Sequence, residues 1–136
     1  MTTTTAPETT TVEEEKPPAI GKLLLKSATH PRDKAAVQAL VDEGKLLERG
    51  NVRTALVVEN EKGKLVCSWE RFGNRLYGLG LDNAERAFVD LVLSIAGPHQ
   101  TGLARVMELD DRRLAIILRA MIQLSGCDTI AVGTRI

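Results

Sequence analysis

The sequence is poor in the residues on which most recognition chemistry is built. Its only aromatics are Trp69, Phe72, Tyr77 and Phe88, too few for the basic-and-aromatic surface on which nucleic-acid bases stack. Its 18 basic and 18 acidic residues cancel, so the whole chain has no field to draw a polyanion or an anionic membrane. Two cysteines, Cys67 and Cys127, stand far apart without a CxxC pair, and the two histidines, His30 and His99, are equally isolated. No metal site of ordinary ligand spacing follows from these four, and no cofactor is expected. The longest nearly apolar run, Leu114 to Ile122, is interrupted by Arg119 and falls short of the roughly 20 residues a bilayer requires. No basic stretch followed by an apolar one opens the chain, so no secretory signal and no membrane partner are expected. Two reduced, buried thiols in the cytoplasm, or in a particle assembled there, are the expectation.

What is present suits a globular protein, with 43% apolar and 26% charged residues. Residues 1–18, "MTTTTAPETTTVEEEKPP", combine threonines with Glu8, Glu13, Glu14 and Glu15 and sum to −3 with Lys16. They have too little apolar surface to offset their ordering entropy and read as a disordered tail. Residues 19–136 then form one α+β domain.

Along that domain Ile20–Leu25 fits a strand, a helical turn or a docking segment. Pro31 opens an amphipathic helix interrupted at Gly44 and stopped at Gly50. Three strands follow, "NVRTALVVE", "KLVCSWERF" and "RLYGLGL", joined by the turn Asn60–Gly63 and by Gly73-Asn74, a two-residue hairpin signal. Asp82 or Asn83 caps the next helix, whose apolar positions run from Ala84 to Ile95 and which Gly97-Pro98 stops. "LARVMEL" fits a helix or a strand, Asp110 caps a last helix ending at Gly126, and "DTIAVGTRI" reads as a final strand. The predicted architecture is an antiparallel three-stranded meander packed against three or more helices. The final strand would add to its edge or pair with a second copy of the chain.

A hairpin at Gly73-Asn74 and a four-residue loop at 60–63 sort the meander into two faces. One collects Leu56, Val58, Leu65, Cys67, Trp69 and Leu76 and belongs under the helices. The other mixes apolar residues with Arg53, Glu70, Phe72, Arg75 and Tyr77, the composition of a partner or ligand surface. A three-residue first loop would flip the first strand against the others, and the sorting would fail for it.

"YGLGLDNAE", residues 77–85, raises the question of a phosphate-cradling glycine loop at a helix start. The third glycine of the dinucleotide fingerprint is replaced by Asn83, no Gly-Lys-Ser/Thr follows, and Asp82 and Glu85 already answer the helix dipole. The glycines are expected instead beneath Trp69 across the hairpin, with a self-capped helix beyond. The order of helix, three strands and helix resembles double-stranded RNA-binding domains, which place lysines at this helix start. Here Asp82, Asn83 and Glu85 stand there, against a nucleic-acid partner.

His30 and His99 lack a neighbouring acid or nucleophile, Asp110-Asp111 reads as a helix start, and Arg105, Arg112, Arg113 and Arg119 read as a solvated stripe. The function expected is a small non-enzymatic binding or assembly protein that docks onto a protein partner or onto itself. The alternative is a binder of a small, nucleotide-type ligand at Arg53, Arg75 and Tyr77.

Overall fold

The computed structural model describes residues 17–135. The expected tail lies outside the described residues as far as Lys16, whereas Pro17 and Pro18 belong to the first helix among the described residues, α1 (Pro17–Ser27). After a break at Ala28–His30 comes α2 (Pro31–Glu43), with Pro31 in its first turn and the His30 ring nitrogen Nδ1 accepting from the Arg32 N–H at 3.1 Å. This is a side-chain cap on the free donors of a helix start. Gly44, at φ +79°, ends α2.

α2 is the central element, with α1, α5 (Asn83–Ala96) and α6 (Asp111–Ser125) all packing against it. Its buried face is mostly alanine, at Ala35, Ala36 and Ala39, with Val37 and Leu40. Such small side chains let three helices approach one axis. On the α1 side the approach is closest at Gly21, where an added Cβ would lie 3.1 Å from Val41. Leu40, Leu46, Leu56, Phe72, Phe88 and Ile117 fill the core without solvent exposure of consequence.

The expected meander is not there. Among the described residues the only sheet is a two-stranded antiparallel hairpin, β1 (Val57–Glu59) with β2 (Leu65–Cys67), in a largely helical chain. "NVRTALVVE" divides into α3 (Gly50–Leu56) and β1, because Val52, Ala55 and Leu56 are buried at i, i+3, i+4, a helical spacing that overrides the strand preference of valine and threonine. Gly50, expected as a stop, therefore opens a helix. After β2 the chain turns into α4 (Trp69–Asn74) and a 3₁₀ turn, Leu76–Gly78. Trp69, Phe72, Leu76 and Leu79 are all buried, and their spacing of three, four and three belongs to a helical face, so Gly73-Asn74 ends a helix instead of turning a hairpin.

The first turn also differs in register. Glu59 pairs with Leu65, Val58 with Val66 and Val57 with Cys67, so the loop holds five residues, Asn60–Lys64. An odd loop flips β1 relative to the expected sorting, and Val58 faces Val66 instead of Leu65. The cause is Asn60, whose side-chain oxygen accepts from both Lys62 and Lys64 N–H at 2.9 Å while Gly63 takes φ +78°. A glycine at positive φ after a tight turn is the usual origin of the extra residue.

The last two helices follow the sequence closely. Asp82 caps α5 through a reciprocal box: its carboxylate accepts from Glu85 N–H at 2.8 Å, and Glu85 accepts from Asp82 N–H at 3.0 Å. Gly97 ends α5, Asp110 caps α6, and Gly126 closes α6 in the left-handed region. "LARVMEL" becomes a 3₁₀ segment, Leu103–Glu108, and residues 127–135 form no strand.

Polar clamps tie the helices together. Glu43, whose side chain is 0% exposed, accepts from Arg113 at 2.9 Å, from Arg112 at 3.4 Å and from the Leu46 N–H at 2.8 Å. Arg32 donates to the Ser94 and Ile95 carbonyls at 2.9 Å, closing the C-terminal end of α5. The expected solvated arginine stripe is thus engaged. Arg112 and Arg113 hold Glu43, Arg105 holds Asp90 and Glu108, and Arg119 reaches the Val132 carbonyl.

Candidate functional site

Two features of the described surface, outside the core and the clamps, bear most on function. The first is an open cleft of about 630 Å³ with one wall from α3, Asn51, Thr54 and Ala55, and the other from the α4 terminus and the 3₁₀ turn, Asn74, Arg75, Gly78 and Leu79. Helical spacing explains the first wall, since residues three and four apart share a face. Asn51 Nδ2 donates to the Leu79 carbonyl at 3.0 Å and ties the walls together. Arg71 reaches across from α4 to the Thr54 carbonyl. Gly78 and Gly80 have no atoms within 4 Å of an added Cβ, so neither is pressed beneath Trp69. Trp69 instead donates its indole N–H to Asp33 at 3.0 Å, beside a small pocket of about 40 Å³ bordered by Cys67 and Val37.

The structure redistributes the five residues assigned to the mixed sheet face, since that face depended on the absent third strand. Arg75 lines the cleft, and Tyr77 stands on the same turn, 79% exposed, with the Arg86 guanidinium 4.9 Å from its ring centre. Phe72 is fully buried in the core. Arg53 is half-buried on α3 and donates to the Leu47 carbonyl at 2.8 Å, and Glu70 is exposed on α4 outside the cleft lining. Of the five, Arg75 alone is among the cleft-lining residues; Tyr77 shares its turn without lining the cleft, and the other three lie elsewhere. Asn51, Thr54, Arg71 and Arg86 were not anticipated. The i, i+3 spacing of Asn51 and Thr54 was the available signal, hidden by reading that stretch as a strand.

The second feature is the 3₁₀ segment Leu103–Glu108. Arg105 pins it, donating to Asp90 at 2.8 Å from Nη2 and to both Glu108 oxygens from Nη1. The Asp90 hydrogen bond is the main reason that its pKa lies above the ordinary arginine value. Yet Leu103 is 73% exposed and Met107 84%, with Ala104 exposed between them.

The remaining candidates do not converge on a site. His30 serves as a helix cap, and His99 lies 3.7 Å from Asp90 and beside Gly73. Burial pushes the Cys67 thiol up to about 12, with Asp33 adding to it, whereas a hydrogen bond to the Thr129 side chain lowers that of Cys127. Among the described residues no three His, Cys, Asp or Glu side chains gather closely enough to hold a metal ion, and no helix is long and apolar enough to cross a membrane. The start of α5 is occupied by its own carboxylates, and Glu85 also holds Arg49 at 2.7 Å. Comparison of the chain with protein-family models, with curated proteins and with solved structures yields no match.

Proposed function

We propose that this chain is a small non-enzymatic binding or assembly protein that docks onto a protein partner or onto a second copy of itself. The observation that carries the proposal is the Leu103–Met107 segment, where two large apolar side chains are held in water on backbone fixed by Arg105. A single exposed leucine is ordinary. Two large apolar groups on one pinned segment are the composition of an interface core. Covering both would contribute on the order of 3–4 kcal/mol, at about 2 kcal/mol for each fully buried side chain. Cys67 and Cys127 are free thiols, which supports a reducing compartment, the cytoplasm or a particle assembled in it.

An affinity-tagged chain expressed in its native host tests this directly. The unaltered chain is expected to retain a stoichiometric protein partner or untagged copies of itself, and the double substitution Leu103→Asp/Met107→Asp to lose them with the helical circular dichroism unchanged. Equal retention by both chains would contradict the proposal.

A further inference from the structure

Charge is unevenly divided along this neutral chain. Residues 1–16 sum to −3, so residues 17–136 sum to +3. Within α1, Lys22 and Lys26 stand one turn apart on one face, and the helix contains no acidic residue to answer them. Both lysines are exposed, and Leu23 beside Lys22 is 46% exposed.

This face borders a groove of about 300 Å³ between the end of α1 and the start of β2. Leu23, Lys26 and Ser27 line one side, and Gly63, Lys64 and Leu65 the other. The lining thus combines two leucines with two lysines, and no carboxylate is among the described residues that form it. Glu59 and Glu61 border a neighbouring hollow, which shares Lys64 and adds Lys62. A segment that fits the groove needs an apolar side chain next to several acids.

The chain carries such a segment directly ahead of α1. Residues 12–15 read "VEEE", and Val12 is the only branched apolar side chain between Met1 and Pro17. Lys26 lies nine residues into α1 from Pro17, about 14 Å along the helix. Val12 precedes Pro17 by five residues, a reach of up to about 17 Å in extended chain.

We infer that the groove is the docking place of the chain's own residues 12–15, folded back along α1. Val12 then covers Leu23 and Leu65, Glu15 stands level with Lys22, and Glu13 stands level with Lys26 and Lys64. Covalent attachment to α1 gives this segment a local concentration that a free acidic peptide lacks, so a few exposed ion pairs and one apolar contact suffice. The inference does not rest on the Leu103–Met107 surface, which is a different part of the chain.

The test is zero-length carbodiimide cross-linking of the full chain, read by mass spectrometry of its peptides. An equal mixture of natural and ¹⁵N-labelled chains separates links within a chain from links between chains. Glu13–Glu15 are expected to join Lys26 and Lys64 within one chain, in higher yield than Lys34 or Lys45, which are exposed elsewhere on α2 and after it. Raising the salt from 0.05 to 0.5 M is expected to lower the yield about threefold or more. Val12→Ser is expected to lower it about threefold; position 12 precedes every core residue described, and the circular dichroism of the variant reports its fold. No link to Lys26 or Lys64, equal yields at Lys34 and Lys45, links found only between chains, or a yield unchanged by salt or by Val12→Ser would each overturn the inference.

Discussion

Replacing Glu43 by alanine should cost about 3 kcal/mol of folding stability. The side chain is 0% exposed and accepts from Arg113, itself only 12% exposed, at 2.9 Å and 3.2 Å. Removing one partner of such a pair strands the other, which typically costs about 3–5 kcal/mol. The Leu46 N–H at 2.8 Å also loses its acceptor, a further penalty of about 1 kcal/mol or more. Two features keep the total near the lower end. Arg112 is 45% exposed, so solvent screens its share, and Asp110 lies 3.5 Å from Arg113 as a substitute partner. Urea unfolding followed by the fluorescence of Trp69, the single buried tryptophan, measures the loss. With a slope of about 1–3 kcal/mol per molar urea, the midpoint should fall by at least about 1 M. Glu43→Gln keeps an acceptor for Leu46 but removes the charge, and should cost about half as much. The double replacement Glu43→Leu/Arg113→Met should recover to within about 1 kcal/mol of the natural chain, because an apolar pair needs no desolvation. A loss below about 1 kcal/mol for Glu43→Ala, or equal losses for the alanine and glutamine variants, would refute this account of the α2–α6 clamp.

Two further perturbations test separate parts of the fold. The folded Cys67 thiol titrates near 12, against an ordinary value of 9.0, so the neutral form is favoured by folding. Its contribution is complete below about pH 9 and is lost as pH rises towards 12, at a slope of about 1.4 kcal/mol per pH unit. Stability measured against pH should therefore show an alkaline fall that Cys67→Ala lacks, and a disulfide reagent at pH 8 should label Cys127 long before Cys67. Identical labelling rates in the folded protein would contradict the burial of Cys67. Asp82→Ala removes both bonds of the capping box and should lower stability by about 1 kcal/mol in the same urea assay, whereas a loss below about 0.3 kcal/mol would count against the cap.

The parts of the fold that were legible are those where several local signals agree. Pro31, the Asp82–Glu85 pair, Asp110 and Gly126 mark helix ends, and between them the apolar residues repeat for three turns or more. Residues 50–81 were misread because their helices are six or seven residues long, too short for periodicity to outvote β-branched composition. In that stretch Gly73-Asn74 carried a hairpin signal that the burial of Trp69, Phe72 and Leu76 on one helical face overrode. The candidate site suffered with it. Arg75 and Tyr77 remained neighbours because a single turn carries them, Phe72 went to the core, and Asn51 and Thr54 entered only when α3 proved to be a helix. Leu103 and Met107 were visible as apolar residues, but their exposure depends on Arg105 holding a 3₁₀ segment to Asp90, a contact fifteen residues distant in sequence.

The central claim, docking through the Leu103–Met107 segment, is tested most directly by placing a photo-activatable amino acid at position 107 and irradiating the native host. The expected result is a discrete covalent adduct with one protein, absent when the same group is placed at position 62 in the exposed β1–β2 loop. No adduct at 107, or the same adducts from both positions, would contradict it.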